Sequence, residues 1–313
     1  GIHIDSRYEK VGVKQQGTTL RDAYRALMQQ HFPAEGALPD TLFFSHPQYN
    51  TWIELMYNQN QHDILTYARH LLDNGLPPGI LMIDDNWQRY YGNFDFKCER
   101  FPNPRAMVDS LHRQGFKVML WISPFVTADS PEYRALAKQG LLLRDATGNP
   151  AIIPWWNGQS ACFDLTNPSA LDYLEHTLRG MMHDYAIDGF KFDGGDNIYY
   201  DRADLRPYRK DARSVDQTKG WAELGCRFAF NEYRACWQMG NRALVQRLGD
   251  KDYSWKAVQQ LVPDMIAAGL LGYGYACPDM IGGGSFASFL DIDADKFDQA
   301  LIVRSAQVHA LMP

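Results

Sequence analysis

The chain has 313 residues, of which 45% are apolar and 22% charged, and its formal net charge is -6. That apolar fraction can bury a full core, which excludes a disordered chain, and the length suits one large domain of barrel size or two smaller ones. With no run of five Lys or Arg and no apolar stretch long enough to cross a bilayer, neither a nucleic-acid surface nor a membrane span is expected. The five cysteines, Cys98, Cys162, Cys226, Cys236 and Cys277, are odd in number and form no C-x-x-C pair, which argues against a disulfide framework and a structural zinc site. Eight Trp and seventeen Tyr are enough rings either for an aromatic core or for stacking on pyranose faces.

Residues 1–40 read as an N-terminal remnant or linker. They start without an initiator Met and show no signal-peptide pattern, so no compartment is assigned. A helix is expected over 20–31, followed by a connector at Pro33, Gly36 and Pro39. From residue 41 strands and helices alternate. A first strand is expected over 50–55 and a helix over 63–73, with Ile64, Leu65, Ala68, Leu71 and Leu72 on one face. The unbroken apolar run 79–83 has the character of a strand buried on both faces, and it ends in Asp84-Asp85-Asn86-Trp87. A helix over 104–114, a strand over 117–122 and a helix over 131–139 follow, with glycines at 115 and 140 closing the helices. Residues 141–163 read as irregular and contain Trp155-Trp156-Asn157-Gly158. A long amphipathic helix over 169–185 has Asn167 as its cap and Pro168 at its first position.

The stretch IDGFKFDGGDNIY, 187–199, reads as a short buried strand ending at Asp193, where Gly194-Gly195 lets the backbone turn away before Asp196. Residues 200–220 are polar and suggest an excursion over a barrel mouth. A helix is expected over 221–232, short strands over 233–237 and 243–247, a helix over 254–268 and a strand over 270–276. The last strand runs into Pro278-Asp279-Met280-Ile281 and three glycines, and a final helix is expected over 295–311. Serial β-α units argue an α/β fold, a (β/α)8 TIM barrel over 41–313 whose eighth strand is not evident at the C-terminus. An open doubly wound sheet is the alternative, but the Gly-rich turn expected after its first strand is missing.

The strand ends, where barrel enzymes keep their chemistry, supply Asp84, Asp85, Trp87, Trp121, Lys191, Asp193, Asp196, Arg234, Asp250, Asp252 and Asp279. Asp dominates and His is absent, which argues against a Ser-His-Asp hydrolase. Two chemistries remain open. One is a divalent-metal site with oxygen ligands from Asp84, Asp193 and Asp196. The other is glycosidic-bond cleavage by two carboxylates, which stand about 5–5.5 Å apart when configuration is retained.

Several of these stretches resemble glycoside hydrolase family 31, retaining α-glycosidases with a (β/α)8 catalytic barrel. MIDDNWQ (82–88) is similar to the family's strand with an Asp three before a Trp, LWISPF (120–125) to its W-I-x-P strand end, and GFKFDGGD (189–196) to its nucleophile motif. LGDKDYSW (248–255) resembles the acid/base stretch and PDMIGGG (278–284) the D-I-G-G motif, and Arg234 stands sixteen residues before Asp250 as the family's substrate-binding Arg does. The resemblance implies Asp193 as nucleophile and Asp250 as acid/base. It implies Asp84, Lys191, Arg234 and Asp279 as sugar contacts, with Asp196 in the place of the usual Glu. Asp85, Trp87, Trp121 and Trp156 complete the expected substrate-binding set, with no metal and no cofactor. WWNG (155–158), the Asp250–Asp252 run and PDMIGG place the chain nearest the branch that holds α-galactosidase-like enzymes and the myogenesis-regulating glycosidase. α-Glucosidases of the family have a His before the D-I-G-G Asp and His-Trp before the acid/base, whereas Pro278 and Gln246-Arg247 stand here. A terminal α-galactoside is therefore the expected substrate, with an α-glucoside as the alternative within the family. A catalytically silent carbohydrate-binding protein is the alternative outside it.

Overall fold

The computed structural model describes residues 12–289 and 297–312. Seven parallel strands form one curled sheet whose spatial order is their chain order. They are Gln48–Asn50, Ile80–Ile83, Lys117–Ile122, Gly189–Phe192, Phe230–Tyr233, Val245–Arg247 and Ala276–Cys277. This is an incomplete (β/α)8 barrel, as the strand–helix alternation implied.

Burial on both faces accounts for the central strands. Ile80–Ile83 and Gly189–Phe192 are buried throughout, and only Lys117 of Lys117–Ile122 is exposed. Their side chains alternate between two apolar layers. Ile80, Met82 and Met119 pack inside the curl with Phe43, Phe230 and Val245. Leu81, Ile83, Val118, Leu120, Phe190 and Phe192 join the larger layer beneath the outer helices, with Ile64, Leu111, Leu174 and Trp221. Those helices start where an Asn or Ser side chain accepts from a first-turn N–H: Asn60, Asn103, Ser130, Asn167 and Ser254. Pro at the first turn strengthens three of the starts.

Helices expected over 20–31, 63–73, 104–114, 131–139, 169–185 and 254–268 appear within a few residues of those bounds. Other expectations need correction. The first strand forms at Gln48–Asn50, and Trp52–Leu55 is a short helix, because Asn50 Oδ1 accepts from Trp52 N (2.7 Å) and turns the chain. The helix expected over 221–232 is Ser214–Gly225, and it begins inside the polar excursion where Asp216 Oδ2 accepts from Arg213 N. Its supposed end, Phe230–Tyr233, is a barrel strand, and 233–237 is not one. The strand expected over 270–276 contracts to Ala276–Cys277, since Trp255–Leu270 is still helical and Gly272, at φ +88°, makes the turn. The supposedly irregular 141–163 contributes Ile153–Trp155 and Gly158–Cys162, which pair antiparallel with each other and with Phe125–Thr127. The final helix is described as Gln299–His309; the first residues of the expected 295–311 helix lie outside the described residues.

Helix Leu20–His31 rests on the barrel through Tyr24, whose hydroxyl donates to Gly269 O (3.2 Å), and through Asn241, which donates to Phe32 O (2.7 Å). The sheet has two edges, Gln48–Asn50 and Ala276–Cys277, and among the described residues no strand joins them. A cavity of about 640 Å³ lies along this seam, lined by Phe43, Tyr49, Cys277, Met280, Ala306 and Met312 among others.

Candidate active site

The C-terminal ends of the strands surround a second cavity, of about 350 Å³. Asp84, Asp85, Trp121, Lys191, Asp193 and Asp279 line it, and Trp156, Arg234 and Asp250 join them nearer the mouth.

Asp193 follows the Gly189–Phe192 strand and is buried. Gly194 and Gly195 both take positive φ, 66° and 73°, and a Cβ on Gly195 would lie 2.5 Å from Trp221 Cδ1. The paired glycines therefore set the direction in which the carboxylate leaves the strand. Its Oδ2 accepts from Trp121 Nε1 (2.8 Å) and its Oδ1 from Gly194 N (2.9 Å). Arg234 Nε and Arg247 Nη2 each stand 3.5 Å from Oδ1. Burial pushes the pKa of Asp193 up, but the charges of Arg234, Arg247 and Lys191 outweigh it and hold the carboxyl well below its ordinary value.

Asp84 is tied to Lys191 (2.7 Å) and to Asn50 Nδ2 (2.8 Å), both buried or half-buried, so it forms a fixed carboxylate on the cavity floor. Its neighbour Asp85 is equally buried and differently served. Tyr91 OH (3.1 Å) and Asn157 Nδ2 (2.8 Å) donate to Oδ2, while Oδ1 has no partner. Burial and the charge of Asp84 raise the Asp85 pKa to about 7, against the pull of those hydrogen bonds. Asn157 also accepts from Tyr57 OH (2.9 Å), so the hairpin loop is linked to the cavity floor. At the mouth, Arg234 lies 4.6 Å from the centre of the Trp156 ring and bonds to Asp196 (2.6 Å). Asp250 is half exposed and meets Arg247 Nη1 at 2.9 Å. Asp279, at the unusual φ of +68°, meets the same nitrogen at 3.3 Å.

Two expected substrate contacts do not reach the cavity. Trp87 is fully buried in the core, donates from Nε1 to Trp121 O (2.8 Å) and packs on Phe96, so it supports Trp121 from behind. Asp196 is spent on Arg234 and does not line the cavity. Residues that sequence reasoning left without a role include Arg247, Glu232, Tyr91 and Asn157, and a ring cluster at the mouth of Trp52, Tyr57 and Phe286. Asn157 had a signal in the WWNG motif, and Arg247 stood out as a departure from the α-glucosidase pattern. Trp52, Tyr57 and Phe286 come from separate turns and had none.

The three Asp of the alternative metal reading are each held by a donor or cation: Asp84 by Lys191, Asp193 by Trp121, and Asp196 by Arg234. Among the described residues no group of three or more His, Cys, Asp or Glu is arranged to hold a metal ion. No helix of the described residues is long and apolar enough to cross a membrane.

Comparison with known proteins bears on the fold and the family. The family described as glycosyl hydrolases family 31, TIM-barrel domain, matches residues 44–313. The chain is 30% identical over 304 residues to the myogenesis-regulating glycosidase of Mus musculus, covering 95% of this chain and 42% of that protein. It is 24% identical over 156 residues to the α-xylosidase XylQ of Lactiplantibacillus pentosus, covering 48% of this chain and 20% of the relative. The chain thus spans less than half the length of these relatives. Among solved structures, a family 31 dextranase of Flavobacterium johnsoniae complexed with glucose superposes with a TM-score of 0.79 at 19% identity, over 95% of this chain and 38% of that one. An α-xylosidase from a soil metagenome complexed with xylose gives 0.72 at 23%, over 84% and 40%. At such identities the superpositions speak for the fold, and the family match over most of the chain goes further: the chain belongs to glycoside hydrolase family 31, through that family's TIM-barrel domain.

Proposed function

We propose that the chain carries the active site of a retaining exo-α-glycosidase, with Asp193 as nucleophile and Asp250 as acid/base. The observation that carries this is the contrast between two carboxylates lining one cavity. Asp193 is buried and held ionised by three cations, whereas Asp250 is half exposed at the mouth. A nucleophile must be ionised, and a group that trades protons with a leaving group and then with water must stand where both can reach it. In the first step an Asp193 oxygen bonds to the anomeric carbon while the glycosidic C–O bond breaks, and the leaving oxygen takes the proton of Asp250. In the second step Asp250 takes a proton from water, whose oxygen displaces Asp193 and restores the original anomeric configuration. Asp84, Asp85, Lys191 and Asp279 would hold the hydroxyls of one terminal sugar, and a cavity of about 350 Å³ suits a chain end.

A terminal α-galactoside is the favoured substrate. One feature supports it over an α-glucoside. Arg247 stands at a position that is aromatic in the family's α-glucosidases, and here its side chain enters the cavity beside the nucleophile. Relatives bear names such as α-xylosidase and 1,3-α-isomaltosidase, so the test spans these sugars. Release of p-nitrophenol from α-galactoside, α-glucoside and α-xyloside should be fastest for the galactoside and fall by more than about 10³-fold in Asp193→Asn. Preference for glucoside or xyloside overturns the sugar assignment and keeps the mechanism. Sugar binding without turnover by the unaltered chain overturns the enzyme reading in favour of a carbohydrate-binding protein.

A further inference from the structure

One guanidinium stands between the two carboxylates on which the proposed chemistry depends. Arg247 closes the Val245–Arg247 strand and is almost wholly buried. Its Nη1 has three acceptors in range: Asp250 Oδ1 at 2.9 Å, Leu248 O at 3.1 Å and Asp279 Oδ1 at 3.3 Å. Its Nη2 lies 3.5 Å from Asp193 Oδ1, and its Nε lies 3.1 Å from Glu232 Oε1 without the alignment of a hydrogen bond. A terminal guanidinium nitrogen has two hydrogens, so three acceptors on Nη1 cannot all be served at once. The contacts are not equally able to give way. The Leu248 carbonyl is fixed by the backbone of the next residue, and the Asp279 side chain is only 5% exposed. The Asp250 side chain is 49% exposed, and among the described residues Arg247 is its one hydrogen-bond partner. The Arg247–Asp250 contact is therefore the one that can open while the rest of the arrangement stands.

We propose that Arg247 is a positioning residue that tethers Asp250 through Oδ1 beside the nucleophile, leaves Oδ2 free to give its proton to the leaving group, and steadies the carboxylate once that proton has gone. The inference rests on the reading of Asp193 and Asp250 as nucleophile and acid/base. Asp250 Oδ1 accepts from Nη1 and cannot present a proton along that direction, so the proton is carried and delivered by Oδ2, which has no hydrogen bond among the described residues. As the glycosidic C–O bond breaks, its electron pair stays on the leaving oxygen, which takes the proton from Asp250. The carboxylate this leaves behind has the guanidinium within reach, and Arg247 keeps all its own protons throughout. Nη2 beside Asp193 holds the fork in register, because one rigid plane spans both carboxylates. A lysine at this position would keep the charge and lose that double reach.

The test compares leaving groups in the full chain. An α-glycosyl fluoride needs little proton assistance, whereas a methyl α-glycoside of the same sugar needs a full proton transfer. Asp250→Asn is the reference, and Arg247→Met and Arg247→Lys are the variants, each checked for folding by thermal melting. Arg247→Lys retains a buried cation, so it serves if Arg247→Met does not fold. The expected result is that both Arg247 variants lose at least 10-fold more kcat on the methyl glycoside than on the fluoride, in the same direction as Asp250→Asn. An equal loss on both substrates, with Asp250→Asn still selective, overturns the tether and leaves the catalytic assignments standing. If Asp250→Asn itself loses equally on both, the acid/base reading fails and the tether fails with it.

Discussion

At the scale of single residues, Asp85 and Glu232 are two buried carboxyl groups that titrate near neutrality. Burial, helped by Asp84, brings Asp85 to about 7, and burial also brings Glu232 to about 7 against the charges of Lys191 and Arg247. Both folded-state values lie above those of an unfolded chain, near 4. The stability that follows from their protonation is therefore complete below about pH 4 and is lost as pH rises towards 7. For Asp85 a shift of about three units corresponds to roughly 4 kcal/mol as an upper bound. The depressed pKa of Asp193 acts in the opposite sense, but only in acid, below the ordinary carboxylate range. The melting temperature should thus fall between pH 5 and pH 8, and Asp85→Asn should flatten that slope; an unchanged slope in the variant would refute the assignment. Motif spacing singled out Asp193, Asp250 and Asp84 in the sequence, and all three line the cavity at the strand ends. Trp87 was misread because spacing cannot tell a ring that lines a pocket from one that props up its neighbour. Glu232 was hidden for a related reason: a charged side chain inside a barrel is tolerated only beside partners such as Lys191 and Arg247, and these come from other strands.

At the scale of elements, the join between strands Gly189–Phe192 and Phe230–Tyr233 leaves no room for a side chain at Gly189. A Cβ at Gly189 would lie 2.0 Å from Phe230 O, a backbone atom that cannot swing away. Just before it, Asp188 accepts from Val118 N (2.8 Å), Lys117 Nζ (2.8 Å) and His112 Nε2 (2.7 Å), which ties this strand to the Lys117–Ile122 strand. Gly189→Ala should therefore cost at least the ~1–3 kcal/mol of an overpacked core site, read as a lower denaturant midpoint, and it should impair catalysis by shifting Asp193. A midpoint equal to that of the unaltered chain would show that the strands can separate to admit a methyl group. Helices were found from the sequence because their caps and apolar stripes are local. Strand Phe230–Tyr233 was missed because Phe-Asn-Glu-Tyr has a polar centre; Asn231 is satisfied by Phe228 O and Ala243 O, bonds that no local pattern announces. The hairpin of Ile153–Trp155 and Gly158–Cys162 was missed because its two-residue loop is Trp156-Asn157 rather than a glycine-led turn.

At the scale of the whole molecule, the described part of the barrel has a seam. The edges Gln48–Asn50 and Ala276–Cys277 offer unpaired backbone groups among the described residues, beside an apolar cavity that includes Phe43, Phe44 and Met312. Open edges invite pairing with other chains. Static light scattering of the isolated chain should show association that grows with concentration, and Gln48→Lys, a charge on the edge strand, should reduce it. Scattering that stays monomeric across the range would refute this. The parallel barrel itself was legible from the alternation of apolar runs and amphipathic stretches.

Lys191, Arg247, Asp279 and Met280 line both the seam and the cavity at the strand ends, so the partition between the two is a single side chain thick. Water entering the seam would lie against the backs of the groups that would hold the sugar. Their mutual attractions are then set by a local dielectric between that of a dry core and that of a surface cleft, and added salt can weaken pairs that a closed interior would shield. Filling the seam with apolar side chains would dry this floor from behind and strengthen every pair on it, without any change to a residue that a sugar could touch.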